Sequence, residues 1–150
     1  MALRIVRLGM PRARGEGLRL GAVRHLPRGV RKQDYARRDY FDLWLPELAP
    51  SQDLVRFALD APWSAARWAA FSRRYARQMA APGPRRLLAL LAALSRQADF
   101  SVGCYCEDEA RCHRSVLKAL LGKEKARLVR GPSAAPRAKG AKRRKAQAGR

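Results

Sequence analysis

Acidic residues are scarce in this sequence, and so are histidine, cysteine and aromatic residues. The 150 residues include 12 Asp or Glu against 33 Lys or Arg, with two His, three Cys and a formal net charge of +21. So positive a surface favours polyanionic partners such as nucleic acid, an anionic membrane surface or a phosphorylated substrate. The charge is not confined to the C-terminus, because residues 1–130 still contain 26 basic and 12 acidic residues.

Long apolar segments are also missing. The longest aliphatic run, 87–94, has eight residues, whereas a helix that spans a bilayer needs about 20. Arg4 and Arg7 interrupt the apolar stretch at the N-terminus, so we expect no signal peptide. These features predict a soluble, cytoplasmic protein with no membrane partner. In a reducing cytosol, clustered cysteines act as thiols, ligands or catalysts rather than as structural disulfides.

The apolar patterns predict one compact α/β domain over residues 1–130. Short β-like patterns indicate strands at 3–8, 17–23, 100–105 and 126–130. The aromatic stretch 40–48, which is broken by Pro46, is expected to be irregular or briefly helical. Strands that alternate with helices in the second half predict a mainly parallel sheet flanked by helices.

The middle of the chain has the start signals of helices. Ser51 and Ser64 are expected to be N-caps, a third helix starts at 82–84, and a fourth covers 112–121. Four large side chains recur at spacings of three and four, and we expect this stripe to be core rather than a cofactor site: Trp68, Phe71, Tyr75 and Met79.

The last twenty residues, 131–150, contain seven Lys or Arg and no acidic, aromatic or large aliphatic residue. Such a segment cannot bury enough apolar surface to order itself, so we predict a disordered basic tail. It is either a solubilising end or a nucleic-acid contact that weakens steeply with salt. The residues predicted to make that contact are Arg137, Lys139, Lys142, Arg143, Arg144 and Lys145.

All three cysteines and one of the two histidines lie in the stretch CYCEDEARCHR, at 104–114. Cys104 and Cys106 are two apart at a predicted strand end, so their side chains share a face. If a helix begins near Arg111, Cys112 lies at its N-terminus, where free N–H groups and the helix dipole stabilise a thiolate or a bound anion. Because helical neighbours point about 100° apart, Cys112 and His113 are not expected to pair.

Two other interpretations of this stretch remain open. A helix that begins earlier, at about Asp108, would explain the acidic residues of the turn and make Cys112 an inert core thiol. The set Cys104, Cys106, Cys112 and His113 has the ligand count of a structural zinc site. Its spacing is unlike the usual pair of zinc knuckles, and a core of this size does not need metal, so we predict no metal ligands and no cofactor.

The order of motifs resembles the family known as domain of unknown function 488. The resemblance rests on GCYCEDEARCHRSVL at 103–117, LPRGVRK at 26–32, Leu-Trp-Leu followed by ELAPS within 43–51, and Arg74–Tyr75. It spans about residues 3–130 and implies a compact α/β fold with a site near Cys112, His113 and Arg114. It also points to Arg28 and Gly29 in a Pro-Arg-Gly loop.

The loop departs from the commoner form in that family. An acidic residue and a Trp usually precede Pro-Arg-Gly, and this sequence has Val23 and Leu26 in those places. A role for an acidic group in this loop is therefore not carried over.

Two functional hypotheses from different classes follow. In the first, the chain is a small enzyme or binding domain for a phosphate-bearing ligand, a nucleotide or nucleic acid among them. Cys112 is the thiolate or anion-site residue, Arg28 and Arg114 clamp the phosphate, and His113 or His25 moves a proton. In the second, the chain is a basic protein that binds nucleic-acid backbone without catalysis.

Overall fold

Within residues 1–129, the part of the chain that the computed structural model describes, four parallel strands form one sheet. They are β1 (Leu3–Arg7), β2 (Leu18–Gly21), β3 (Leu43–Trp44) and β4 (Phe100–Cys104). The order across the sheet is β1-β4-β2-β3, and every pairing is parallel. The predicted parallel sheet is confirmed. The predicted basic tail, with Arg137 to Lys145, lies outside the described residues.

Four helices accompany the sheet in the described part of the chain: α1 (Gln52–Leu59), α2 (Ala65–Met79), α3 (Pro82–Leu94) and α4 (His113–Lys123). Both predicted caps are confirmed, since Ser51 Oγ accepts a hydrogen bond from the Leu54 amide and Ser64 Oγ from the Arg67 amide. None of the helices in residues 1–129 combines the length and apolarity needed to cross a bilayer.

The predicted stripe on α2 is core. Phe71, Tyr75 and Met79 are buried, and Trp68 packs partly buried against the same cluster. Because Tyr75 is buried, its hydroxyl has no water to bond. It instead donates a hydrogen bond of 2.7 Å to the Leu48 carbonyl oxygen. The stripe therefore packs α2 into the core, where Tyr75 lies against His113 at the start of α4.

Two segments differ from the sequence-based expectation. Stretch 40–48 contains the two-residue strand β3 and then a 3₁₀ helix at Pro46–Leu48. Both residues of β3 are exposed, so they lack the alternation that identifies a half-buried strand. The predicted strand at 126–130 is reduced to one parallel bridge between Leu3 and Leu128.

The sheet order determines where functional side chains can meet. All five residues of β4 are buried, because β1 and β2 cover its two edges. Since all strands are parallel, the segments that follow them leave the sheet at the same edge. Ligands of open parallel sheets bind outside this carboxyl edge. Here it carries the Pro-Arg-Gly loop after β2 and the cysteine stretch after β4.

A buried ion pair anchors the loop between β1 and β2. Arg19 Nε donates to Glu16 Oε1 at 2.6 Å, and both side chains are at most 2% exposed. Ser101 on β4 donates to the same carboxylate at 2.7 Å, as does the Ala13 amide at 2.8 Å. Burial alone raises the pKa of Glu16, but these hydrogen bonds outweigh it and lower the pKa to about 2.

The ion pair makes stability depend on pH in the acidic range. Since the folded-state pKa of Glu16 lies below its ordinary 4.5, its contribution is full above that value and is lost as the pH falls towards about 2. We expect Glu16→Gln to lower the free energy of unfolding at neutral pH by about 3 kcal/mol and to flatten its fall in acid. Urea unfolding over a pH series measures both, with the exposed Glu47→Gln as control. If the free energy of unfolding falls equally in acid for the wild type, Glu16→Gln and Glu47→Gln, this interpretation is wrong.

Candidate functional site

The three cysteines meet at the carboxyl end of β4. Their Sγ atoms all lie within 4.8 Å of one another, and those of Cys104 and Cys106 are 3.7 Å apart. Cys104 ends β4 and is buried, Cys106 is exposed in the following turn, and Cys112 is buried. All three are free thiols. The chain thus brings together sulfurs that are separated by up to eight positions.

Cys112 is the N-cap of α4. Its backbone is extended, with φ −127° and ψ 146°, and its Sγ accepts a hydrogen bond from the Arg114 amide at 3.5 Å. Among the acidic residues of the turn, Glu109 begins a separate 3₁₀ helix, Glu109–Arg111, and the Asp108 side chain caps it. Of the two predicted helix starts, the later one is therefore correct. The sulfur lies where free N–H groups and the helix dipole favour a negative charge.

His113 faces the Cys112 sulfur. Its Nδ1 lies 3.7 Å from the Cys112 Sγ, and its Nε2 lies 2.8 Å from the Ala22 carbonyl oxygen. A carbonyl only accepts hydrogen bonds, so Nε2 carries a proton and Nδ1 of the neutral ring is free to accept one from the thiol. The expectation that Cys112 and His113 cannot pair was wrong, because the N-cap residue is extended and does not follow helical spacing.

The cluster favours one thiolate, at Cys112. Hydrogen bonds from the Cys104 and Cys106 thiols lower the pKa of Cys112, with His113 adding to the effect, and they outweigh burial. The same contacts, first with Cys106 and then with Cys112, together with burial, raise the pKa of Cys104. For Cys106, the Cys104 contact lowers the pKa, but the Cys112 contact and burial raise it overall.

A cavity gives access to the buried sulfur. Cys112 is only 2% exposed, yet it lines a cavity of about 220 Å³ together with Cys104, Cys106 and His113. Its nearest polar neighbours are the two other sulfurs, the imidazole and the Arg114 amide. The sulfur also belongs to a buried apolar cluster with Leu8, Val23 and Phe41, so it borders the cavity from within the core.

A larger cleft of about 510 Å³ adjoins this cavity, and His25 and Tyr105 line both. Arg28, Arg7 and Tyr40 also line it. Arg28 is exposed, and its side chain makes no ion pair or hydrogen bond within residues 1–129. Gly29 is absent from the lining; with φ 69° it supplies the left-handed turn that follows Arg28.

Arg114 lies under the site rather than on the cleft. It is 3% exposed, and its Nη2 donates a hydrogen bond of 2.6 Å to the Cys106 carbonyl oxygen. Its Nε is buried and has no hydrogen-bond partner among the described residues. The structure therefore groups Arg114 with Cys112 and His113, and it places Arg28 in the neighbouring cleft.

Some lining residues were not identified from the sequence. Arg7, Tyr40 and the Ala22 carbonyl belong to strand ends and loops that are distant along the chain, and no local motif marks them. Tyr105 had a usable signal, because it is the last residue of a predicted strand and lies inside the cysteine stretch. Its hydroxyl donates a 3.0 Å hydrogen bond to the His25 carbonyl oxygen, which ties the two halves of the cleft.

Alkylation of the individual cysteines tests the charge distribution in the cluster. We expect iodoacetamide labelling of Cys112, mapped by mass spectrometry over a pH series, to rise well below the about 8.5 of a free thiol. Cys106→Ala removes a hydrogen-bond donor and should move this rise to higher pH. Cys106→Ser keeps a donor and is the matched control. If labelling of Cys112 rises at the pH of an ordinary thiol, the assignment is wrong. It is also wrong if labelling rises at the same pH in Cys106→Ala and Cys106→Ser.

A protein-family model matches most of the chain. The model of the DUF488-N3a family, described as the active DUF488-N3 subclade, matches residues 3–125. No curated protein and no solved structure matches the chain. The matched range contains the whole sheet, the Pro-Arg-Gly loop and the cysteine stretch. The chain belongs to the DUF488-N3a family.

Proposed function

We propose that the carboxyl edge of the sheet is an enzyme active site for a phosphate-bearing ligand. In this proposal the Cys112 thiolate is the nucleophile, His113 takes up and returns its proton, and the adjoining cleft holds the phosphate. The observation that carries the proposal is the pair formed by Cys112 Sγ and His113 Nδ1, 3.7 Å apart at the start of α4. The family to which the chain belongs is described as the active DUF488-N3 subclade, a description that names no reaction.

The pair has the parts that an activated nucleophile requires. A thiol needs a nearby base to become a thiolate, and the base needs a third group that fixes its orientation. The Ala22 carbonyl is that third group, because its 2.8 Å contact with Nε2 aims Nδ1 at the sulfur. A reducing cytoplasmic setting suits this chemistry, because Cys112 must stay free of disulfides.

The cleft that adjoins the cavity of Cys112 contains positive charge. Arg28 is exposed there with no described counter-ion, and its planar guanidinium can hold two phosphate oxygens. Arg7 also lines the cleft, although Glu107 pairs with it at 3.3 Å. The rings of Tyr40 and Tyr105 lie edge to face, 6.0 Å apart, and offer an apolar wall for the rest of the ligand. Arg114 lies beneath the site. In this proposal its positive charge acts on the thiols, and it does not contact the ligand.

Substitution of Arg28 tests the phosphate site. We expect Arg28→Ala to weaken binding of inorganic phosphate and of nucleoside phosphates about tenfold or more, because a charged hydrogen bond contributes about 1.5–3 kcal/mol. Isothermal titration calorimetry measures the affinity. Arg85→Ala, an exposed arginine on α3 that does not line the cleft, is the control with the same net charge. Equal effects of the two substitutions, or no binding by the wild type, would refute the phosphate site.

A second candidate is backbone-directed binding of nucleic acid, and the distribution of ion pairs favours it. Most of the carboxylates in residues 1–129 already have a basic partner, among them Glu16, Asp34, Asp42 and Glu109. The basic residues exceed them by far, so many exposed arginines keep an uncompensated charge. Phosphate contacts of this kind carry no sequence specificity.

Deletion of 131–150 tests the second candidate. The segment contributes seven positive charges, so its loss should flatten the dependence of log affinity on log salt and remove most binding to duplex DNA or RNA. Fluorescence anisotropy at several salt concentrations measures the slope. Binding that survives the deletion but is lost in Arg28→Ala would instead assign the contact to the cleft.

A further inference from the structure

Three sulfur atoms converge at a distance that suits one metal ion. Cys104, Cys106 and Cys112 keep their Sγ atoms within 4.8 Å of one another, and the Cys104–Cys106 pair is 3.7 Å apart. Zinc–sulfur bonds of about 2.3 Å in a tetrahedral site place two sulfurs about 3.8 Å apart. One pair already has this separation, and the others need to close by about 1 Å at most. The fold therefore brings the sulfurs close to the distances of a zinc site, which the spacing of the cysteines along the chain did not indicate.

We propose that Cys104, Cys106 and Cys112 bind one thiophilic d¹⁰ cation, Zn²⁺ or Cu⁺, as a three-sulfur site. Soft thiolates select these ions over Mg²⁺, Ca²⁺ and Mn²⁺, which prefer oxygen ligands. On binding, the cation takes the place of the thiol protons, which pass to solvent, and no electron is transferred.

The charge around the sulfurs favours such a site. Three thiolates and a divalent cation carry a net charge of −1, which a buried site must compensate. Arg114 supplies the counter-charge: it is 3% exposed and its guanidinium is bonded to the Cys106 carbonyl at 2.6 Å. Its buried Nε has no partner within residues 1–129, so a donor remains free beside the cluster.

The fourth coordination position faces the cavity. Cys104, Cys106 and Cys112 all line the 220 Å³ space, which has room for water or for a ligand atom. His113 Nδ1 lies near the Cys112 sulfur, and its Nε2 is bonded to a backbone carbonyl, so the ring is held beside the three sulfurs. Three protein ligands and one open position are the pattern of a reactive rather than a purely structural site.

The metal site does not depend on the proposed catalysis, because binding needs neither a substrate nor a proton acceptor. The two are linked in one respect. Coordination shares one of the three lone pairs of the Cys112 thiolate with the cation and lowers the negative charge on the sulfur, so the metal-bound form is expected to be alkylated more slowly at Cys112.

Metal titration of the reduced full-length protein tests the inference. Competition for Zn²⁺ against a chromophoric chelator should give one tight site, and X-ray absorption of the zinc-loaded protein should show three sulfur neighbours at about 2.3 Å. Cys106→Ala should weaken Zn²⁺ about a hundredfold and leave two sulfur neighbours. Because Cys106 is exposed, this variant is expected to keep the fold, which circular dichroism verifies.

Two controls separate this inference from the proposed function. His25→Ala changes the cavity lining without removing a sulfur, and Arg28→Ala removes the proposed phosphate contact. Both variants should bind Zn²⁺ like the wild type, so loss of phosphate binding in Arg28→Ala would not affect the metal result. A first shell of oxygen and nitrogen, fewer than three sulfurs in the wild type, or an unchanged affinity in Cys106→Ala would overturn the three-sulfur site.

Discussion

The contact between His113 and the Ala22 carbonyl is the interaction on which the site depends. It joins the first residue of α4 to the end of β2, and so it fixes both the ring nitrogen that faces Cys112 and the direction in which α4 leaves the sheet. The strand order makes the contact possible, since β4 pairs directly with β2 and the Ala22 amide bonds to the Gly103 carbonyl at 3.0 Å. Without that neighbouring strand, the cysteine stretch would have no carbonyl to hold its histidine.

Burial and hydrogen bonding act in opposite directions on the Cys112 thiolate. Full burial of an ionised group can shift a pKa by about 3–5 units towards the neutral form, equivalent to about 4–7 kcal/mol. A single hydrogen bond to a charged group contributes about 1.5–3 kcal/mol, so one donor does not balance the desolvation. Cys112 has several polar neighbours: the Arg114 amide at 3.5 Å, the His113 ring at 3.7 Å and the two other sulfurs within 4.8 Å. The number of donors, more than any one of them, is what permits a charged sulfur at this position.

Most of the fold could be predicted from the sequence, but only part of the site could. Ser51, Ser64 and the α2 stripe are local signals, and they predicted α1 and α2 correctly. β3 was missed because its pairing with β2 alone defines two exposed residues as a strand. The Cys112–His113 pair was missed because it depends on the dihedral angles of one N-cap residue. The cleft around Arg28 could not be predicted, because it depends on the strand order, which no residue pattern in a single sequence specifies.

The buried Arg114 side chain bears on the charge that the cysteine cluster would carry in the two proposals. A guanidinium in the protein interior loses several kcal/mol of hydration, which is recovered only if an anion and hydrogen-bond acceptors surround it. Within the described residues Arg114 has no carboxylate partner, and the Cys106 carbonyl meets one of its donors. Three neutral thiols would leave that positive charge without an opposite one. A Cys112 thiolate whose proton is on His113 forms a pair with no net charge, whereas a Zn²⁺ ion bound by three thiolates carries one negative charge and would compensate Arg114.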